Sequence, residues 1–528
     1  MIIAEMPRAW TFGLHYGMVT LEPITQGGPL MIPAYPMESE VFGLACEQFE
    51  SIVYRLSCEI AGQMEHGQIE TLIFREGTEL LRCLMQGYLD LRAIREPRRH
   101  DVTGPDSAHL THCRLNCERP LMTIFGEVTI RRKGYNHAGI RSVFPLDGEL
   151  NLSKDRYSHG LRRRVADEAA VNSFDAAVAN IGKTTGGRVP KRQLEEIAVV
   201  AAQDFDAFYA GGKADEPRQT PDILVMSVDQ KGIVMRKEDL RAATRKAAEQ
   251  SVRRPGARLN PGEKLNRKRM ATVAAVYDIE AHERSPEMIM GLCPDADKSA
   301  RPRATNKRVW ASVEREPEVV IQDMFQEALR RDPEMKRPWA ILVDGGEKQL
   351  DLALGFIARY RPDVSLILDF IHVLEYLWKA AYGFHAVGSL DAENWVAERA
   401  LKILRGEAAH VAHGLRQGAT LHQLSSDKRK AVDKCADYLE KYGPMLEYDD
   451  YLSAGLPIAT GVIEGACRHL IKDRMDLTGA RWRLKRAEAV LRIRSLRSSG
   501  DFAAYWTFHQ AREHQRNHCS DNGLARAA

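Results

Sequence analysis

The 528-residue sequence lacks several features that would place it in a secreted or membrane class. Its nine cysteines form no C-x-x-C pair, and an odd, unpatterned count is typical of free thiols in a reducing cytoplasm. No apolar run reaches the roughly 18 residues that a membrane-spanning helix needs. The opening residues, MIIAEMPRAWTFG, have neither the charged start nor the apolar core of a signal peptide. We therefore expect a cytosolic protein.

A strong overall charge is also absent, but local charge is uneven. Hydrophobic residues at 44% and charged residues at 28% are ordinary for a globular protein, and the formal net charge is only +3. Residues 231–269 hold 13 basic and 4 acidic side chains, and residues 468–497 hold 10 and 3. One such block is usually a solvated face, whereas two that flank one candidate site favour a nucleic-acid partner.

A chain of this length exceeds a single hydrophobic core, so two to four domains are expected. Apolar periodicity predicts an antiparallel helical pair near the start, and LMTIFGEVTIRRKGY (121–135) predicts a β-hairpin. The predicted regions are a helical N-terminal region (1–105), a small hairpin region (106–157), a helical DNA-binding domain (158–215), an α/β core (216–375), an all-α insertion (376–455), a catalytic helix with basic C-terminal helices (456–510) and a tail (511–528).

Two short segments before the core invite a functional interpretation. Residues 158–210 predict three helices, and Lys191 and Arg192 begin the last one in an arrangement compatible with a helix-turn-helix. From this segment alone, an ordinary helical hairpin is the favoured interpretation. A second segment carries potential zinc ligands, but their spacing matches no usual zinc pattern, and we expect ordinary surface and core residues there. These are His109, His112, Cys113 and Cys117.

From residue 223 onward the pattern alternates between strands and helices. ILVMSVDQKG predicts a strand, IVMRKED its hairpin partner, and RMATVAAVYDIE a third strand. A helix, a strand (PWAILVDGG), another helix and a last strand (DVSLILDF) follow. This order resembles a ribonuclease-H-like core with a mixed five-stranded sheet.

Three acids stand out within this predicted core. Asp229 and Asp344 each follow an apolar strand, and Gly345 and Gly346 would let a backbone or a phosphate come close to Asp344. Glu464 lies on a predicted helix with Arg468 and Lys472 at i+4 and i+8, which the apolar flank of that helix could bring to the sheet. Each aspartate alone could merely open a turn, and the glutamate could merely form a helical salt bridge.

Three converging carboxylates suit phosphodiester cleavage. Two Mg²⁺ ions roughly 4 Å apart can activate the attacking oxygen and stabilise the leaving one. Mg²⁺ takes hard oxygen ligands and keeps several waters, so a few carboxylates suffice. Acids gathered for metal, with basic residues around them for phosphate, form a consistent combination.

At these residues the chain resembles the ISKra-type bacterial insertion-sequence transposases, within the Mutator-like DDE group. LVDGG, ILDFIHVLEYLWKAAY and GVIEGACRHLIKDRMDLTGARW stand in the family's order, and the similarity extends over about residues 110 to 510. The resemblance implies Asp229, Asp344 and Glu464 as the DDE triad, holding two Mg²⁺ or Mn²⁺ ions. It implies that Asp369 and His372 form the D-x-x-H signature beside the active site. Asp369 could replace Asp344 as the second acid, and a purely structural Asp–His pair is the alternative to a functional one.

The resemblance further implies DNA cleavage at element ends, strand transfer to double-stranded target DNA, and a homodimer or higher synaptic multimer in the bacterial cytoplasm, associated with the nucleoid. A structure-specific nuclease and a domesticated, non-catalytic DNA-binding protein remain alternatives. Trp482 stands among cations and could stack on an unpaired base or anchor the last helix. The predicted DNA-binding residues are Lys191, Arg192, Arg468, Lys472, Arg481, Trp482, Arg483, Lys485 and Arg486.

Overall fold

The computed structural model describes residues 19–21, 30–32, 40–104, 109–212, 220–250, 267–293, 301–361 and 363–519. The chain divides into two compact units. The first comprises residues up to 161 together with 181–189 and 510–528, and the second comprises 162–180 and 190–509. The segment predicted as one helical domain at 158–215 therefore contributes to both units. None of the described helices is long and apolar enough to cross a membrane.

The first unit contains two antiparallel sheets and a helical pair. Strands β1 (Val19–Leu21) and β2 (Leu30–Ile32) pair, as do β3 (His112–Thr123), β4 (Gly126–His137) and β5 (Ile140–Val143). The apolar face of the larger sheet packs on Leu89 of the His66–Arg95 helix. That helix also receives a hydrogen bond from Gln48 of the Gly43–Ser57 helix at Glu76. The predicted helical pair and hairpin are confirmed.

The second unit is built on a mixed five-stranded sheet, as predicted. Its order is β10-β9-β6-β7-β8, where β6 is Ile223–Val234, β7 Lys268–Ile279, β8 Thr305–Ser312, β9 Trp339–Val343 and β10 Ser365–Leu368. The pairs β6–β7 and β7–β8 are antiparallel, whereas β6–β9 and β9–β10 are parallel. The parallel half therefore brings the carboxyl ends of three strands to one edge.

The first part of this sheet differs from the sequence prediction. Strand β6 continues to Val234, so the predicted hairpin partner in IVMRKED is wrong. The antiparallel partner of β6 is β7, and β8 is not among the predicted strands. Gly232 explains the error, because it resembles a turn residue but lies inside the strand. A Cβ there would be 2.8 Å from the Lys268 side chain of β7, so the glycine permits close strand approach.

Helices cover the sheet and form the predicted insertion. Amphipathic helices Pro317–Arg331 and Glu347–Tyr360 connect β8 to β9 and β9 to β10. The closing helix begins at Gly461, widens into a π-helical segment over Cys467–Lys472 and ends at Met475. The other helices of the second unit's region are His159–Val171, Phe174–Thr184, Lys191–Ala201, Phe205–Ala207, Phe208–Gly212, Lys237–Asp239, Ala242–Gln250, Pro286–Ile289, Phe370–Phe384, Leu390–Leu404, Ala408–Leu421, Ser426–Lys441, Gly443–Met445, Tyr448–Ser453, Leu477–Gly479, Leu484–Ser498 and Phe502–His514.

A buried ion cluster joins β8 to the Pro317–Arg331 helix. Glu327 is only 2% exposed and pairs with Arg308 of the strand and with Arg331 of its own helix. Burial alone would raise the pKa of Glu327, but Arg308, Arg331 and Arg330 outweigh it and lower that pKa to about 2. Each buried charge of this cluster thus has an opposite charge within the protein.

Candidate active site

Three aspartates lie side by side at one edge of the parallel half of the sheet. Ser227 of β6 is in register with Leu342 of β9, and each stands two residues before its aspartate, Asp229 or Asp344. Asp369 directly follows β10, and its amide donates to the Val343 carbonyl at 2.8 Å, which continues the β9–β10 ladder. The sheet therefore aligns the three acids at one edge.

Asp229 does not stand at a strand end, contrary to the prediction. It is in the interior of β6, which stays paired with β7 as far as Val234. Its parallel neighbour β9 pairs with β6 only up to Ser227. Beyond that pair the burial of β6 decreases, and Asp229 is half-buried. Asp229 is therefore partly accessible because the neighbouring strand β9 ends, and not because its own strand ends.

Asp229 is held by a cysteine from the closing helix. The Cys467 thiol donates to Oδ2 of Asp229 at 3.0 Å, and the Gln230 amide donates to Oδ1. Burial, and then the charge of Asp229, raises the pKa of the thiol, and Asp344 adds to the rise. The thiol therefore stays protonated and remains a donor at neutral pH.

The loop after β9 positions Asp344. Oδ1 of Asp344 accepts from the Gly346 amide at 2.9 Å, whereas Oδ2 has no donor among the described residues. Gly345 adopts a φ of +85°, which favours glycine, and a Cβ there would crowd the Tyr438 hydroxyl at 3.2 Å. The Tyr442 hydroxyl donates to the Gly345 carbonyl at 2.6 Å. The predicted close approach at these glycines is thus made by tyrosines of the helical insertion.

Asp369 is fully buried, and its carboxylate is saturated. The amides of Ile371 and Thr460 donate to Oδ1 at 3.1 and 3.4 Å. The Thr460 hydroxyl, at 2.6 Å, and Nδ1 of His372, at 2.8 Å, contact Oδ2. The Ile371 contact also caps the Phe370–Phe384 helix. Asp369 therefore fixes the start of that helix and the tilt of the histidine ring.

Of the Asp369–His372 pair, only His372 is accessible at the candidate site. Its side chain is 32% exposed, and because Nδ1 faces Asp369, Nε2 is the free ring nitrogen. The hydrogen bond to Asp369 raises the pKa of His372 against the effect of burial, and the charges of Asp369, Asp344 and Glu375 add to the rise. The ring is thus oriented by one acid and lies in the field of a second.

The closing helix brings Glu464 to the same edge. Ligand atoms of Glu464, Asp369 and His372 lie within 4.8 Å of one another, and Glu464 is exposed. One turn further on, Cys467 of this helix contacts Asp229. Glu464 has no hydrogen-bond donor in the described part of the chain. Among the described residues, Glu464 thus lies at ligand distance from the D-x-x-H pair, whereas no group at that distance includes Asp229 or Asp344.

The free oxygens show which of these acids fit a hard cation. Asp344 and Glu464 keep oxygens without protein donors, and Asp229 gives one oxygen only to a weak thiol donor. Asp369 is close enough to join a metal site, but four donors already occupy its oxygens. Hydrogen bonding therefore favours Asp344 over Asp369 as the second ligand. The oxygen-rich set of Asp229, Asp344 and Glu464 fits Mg²⁺ or Mn²⁺.

Several predicted DNA-binding residues meet at one cavity of the second unit. Lys191, from the helix-turn-helix-like segment, and four residues of the basic C-terminal stretch line it. Those four are Arg481, Trp482, Arg483 and Arg486. The remaining predicted residues lie on exposed surface outside that lining, and they are Arg192, Arg468, Lys472 and Lys485.

Trp482 anchors its segment in the core and presents no exposed ring face on which a base could stack. It is 4% exposed, its indole N–H donates to the Met475 carbonyl at 2.9 Å, and its ring meets Phe174 edge-on at 5.7 Å. Its backbone also pairs with Met235, just beyond β6. Trp482 therefore fixes the basic segment against the end of β6, and stacking on an unpaired base would require it to leave this place.

Sequence reasoning did not single out Cys467, Thr460 or the insertion tyrosines. Their roles depend on contacts across more than 90 residues of chain, for which no local pattern exists. His109, His112, Cys113 and Cys117 belong to no metal-ligand cluster found among the described residues. No family model matches the chain, and no curated protein is similar enough to count as a relative.

Proposed function

We propose that the protein is a DDE transposase that cuts double-stranded DNA at insertion-sequence ends and joins those ends to a target. The observation that carries the proposal is the position of Asp229, Asp344 and Glu464 around one sheet edge, with free carboxylate oxygens. The mixed sheet order and the helical insertion before the Glu464 helix agree with a ribonuclease-H-like core.

In this proposal, Asp229, Asp344 and Glu464 hold two Mg²⁺ or Mn²⁺ ions, which supply activation of the attacking oxygen and stabilisation of the leaving one. The residues of the chain act around them. Cys467 and the Gln230 amide fix the Asp229 carboxylate, while Gly346 and the two insertion tyrosines fix the Asp344 loop. His372, oriented by Asp369, can donate to or accept from a substrate oxygen through Nε2.

The proposed partners are the two element ends and the target duplex, bound by a homodimer or a higher multimer in the bacterial cytoplasm at the nucleoid. Exposed basic residues on the Glu464 helix, Arg468 and Lys472, support contact with a phosphate backbone beside the acids.

Purified protein, Mn²⁺ or Mg²⁺, and DNA from the borders of the gene provide the test. Products in which an element end is joined to a second duplex support the transposase. Hydrolysis without joining would instead establish a nuclease. Mobility retardation without any cutting, under metal and salt conditions that preserve the fold, would establish a DNA-binding protein and refute the proposed chemistry.

A further inference from the structure

A cationic cavity in the second unit, here called the Arg474 pocket, lies apart from the carboxylates. It has a volume of about 260 Å³, and six basic side chains but only two acids, Asp175 and Glu195, line it. The excess of four positive charges suits an anion. The six are Lys191, Arg236, Arg474, Arg481, Arg483 and Arg486.

Arg474 is an incompletely satisfied cation at the base of this pocket. It is 2% exposed, and its guanidinium lies against the rings of both Phe174 and Trp482, 5.0 and 4.9 Å from their centroids. Nε donates to the Ala169 carbonyl at 3.0 Å, but the buried Nη2 has no partner in the described part of the chain. No carboxylate of the described residues pairs with it. A buried guanidinium without a counter-charge is costly unless an anion from outside completes it.

Two sorts of cation surround Arg474. Lys191, Arg483 and Arg486 are each held by an acid, at 2.7 Å from Asp175, 2.9 Å from Glu238 and 2.8 Å from Glu195. Arg236 and Arg481 are exposed and have no acidic partner among the described residues. The first sort gives the pocket a fixed rim, and the second leaves donors free for a ligand.

The pocket is connected to the acids by two rigid elements. The helix that carries Glu464 continues through its π-helical segment to Arg474, ten residues further on. Exposed Arg468 and Lys472 lie along this helix between the two ends. On the other side, the chain leaves β6 through Met235 and Arg236, and the Arg236 amide donates to the Trp482 carbonyl at 3.0 Å.

We propose that the Arg474 pocket is a receptor for a backbone phosphate of nucleic acid bound across the acidic centre. This inference rests on the proposed function for its ligand. Because Trp482 is buried and the free groups are guanidinium donors, the pocket holds phosphate without reading bases.

Binding of a 30-base-pair duplex in EDTA, measured by fluorescence anisotropy from 50 to 200 mM salt, tests the pocket without any cleavage. Arg236→Gln and Arg481→Gln change exposed side chains and should each weaken binding roughly tenfold, since each removes a charge-assisted hydrogen bond. Each should also lower the slope of log affinity against log salt by about 1. Arg416→Gln, which removes an equal charge from the insertion, should change neither.

Inorganic phosphate provides a second readout. At constant ionic strength it should raise the melting temperature of the unmodified protein relative to chloride, and this gain should be lost in the R236Q/R481Q double variant. Equal gains in both proteins would refute the pocket. A gain specific to the unmodified protein, with duplex affinity unchanged by the substitutions, would make it a small-anion site and overturn the nucleic-acid assignment.

The two proposals can fail separately. A protein that binds duplex through Arg236 and Arg481 but never cuts would leave the pocket standing and refute the transposase. If the unmodified protein cuts DNA and the double variant binds duplex with unaltered affinity, the transposase proposal stands and the pocket is refuted.

Discussion

The acidic centre and the Glu327 cluster show two different treatments of charge within one unit. Glu327 is buried among arginines that balance it, so its charge contributes to stability. Asp229, Asp344 and Glu464 are held by neutral donors or by none, and their negative charge remains uncompensated by any ion pair in the described part of the chain. The difference separates charges that build the fold from charges that await a ligand.

The largest expected effect comes from removing an acid of the uncompensated set. Asp344→Asn or Glu464→Gln should reduce DNA cleavage by about a thousandfold or more, because each removes a charge needed to hold the metal. Duplex binding in EDTA should persist, and cleavage assays on the same preparations measure the loss. An active Asp344→Asn protein beside an inactive Asp369→Asn protein would transfer the role of second acid to Asp369.

Glu327→Gln should destabilise the fold strongly without touching the acidic centre. It leaves Arg308 and Arg331 buried without their counter-charge, so we expect a loss of about 3 to 5 kcal/mol in the free energy of unfolding. Urea denaturation monitored by circular dichroism measures it. Glu440→Gln, at the exposed Arg416 pair, should leave the free energy of unfolding nearly unchanged.

The pH dependence of the Glu327 contribution follows from its lowered pKa. The contribution should be complete above the ordinary value of 4.5 and should be lost as the pH falls toward about 2. The difference in stability between the unmodified protein and Glu327→Gln should therefore shrink in acid. A difference that stays constant from pH 7 to pH 3 would contradict a charged Glu327 in the folded protein.

Thr460→Val tests whether the Asp369–His372 pair positions the site. It removes the 2.6 Å hydrogen bond to Oδ2 of Asp369, and loss of such outer contacts typically costs 10- to 100-fold in activity or metal affinity. The concentration of Mn²⁺ needed for half-maximal cleavage should rise as kcat falls. Thr507→Val, at an exposed position of the Phe502–His514 helix, is the control. An unchanged metal requirement would limit the pair to a structural role.

The smallest effect is expected at Cys467. Cys467→Ser keeps a donor to Asp229 and should alter cleavage by less than about threefold, whereas Cys467→Val removes a hydrogen bond worth about 0.5 to 1.5 kcal/mol. Cleavage rates of the two variants, compared at saturating Mn²⁺, check this order. Equal rates would show that the thiol does not orient Asp229.

Part of this architecture could be predicted from sequence because it has local causes. Apolar runs and their spacing identify β9, β10 and the helices between them, and Asp344 and Asp369 directly follow those runs. Strand β8 is not predictable in the same way, since TNKRVWAS begins with polar residues and only its second half is buried. Gly232 leads to a wrong prediction because it looks like a turn residue in the sequence, whereas its role depends on the neighbouring strand β7.

The functional groups that sequence did not reveal depend on distant partners. Arg474 is one of ten basic residues in the 468–497 stretch, and nothing local separates it from the others. Only the fold places its guanidinium against two aromatic rings and leaves one of its nitrogens without a partner among the described residues. Similarly, Thr460 acquires its meaning from a carboxylate 91 residues earlier. The sequence shows where the charged residues are, but only the fold shows which of them have no partner among the described residues and can bind a ligand.

The tyrosine contacts of the loop after β9 bear on how the helical insertion can be used. The hydroxyls of Tyr438 and Tyr442, at the end of the Ser426–Lys441 helix, donate hydrogen bonds to the backbone carbonyls of Asp344 and Gly345. Excising residues 376–455 would therefore release the loop of one acid, and no truncated core should be taken as a surrogate for the whole. Conversely, a molecule that displaces the Ser426–Lys441 helix would also displace the loop that holds Asp344.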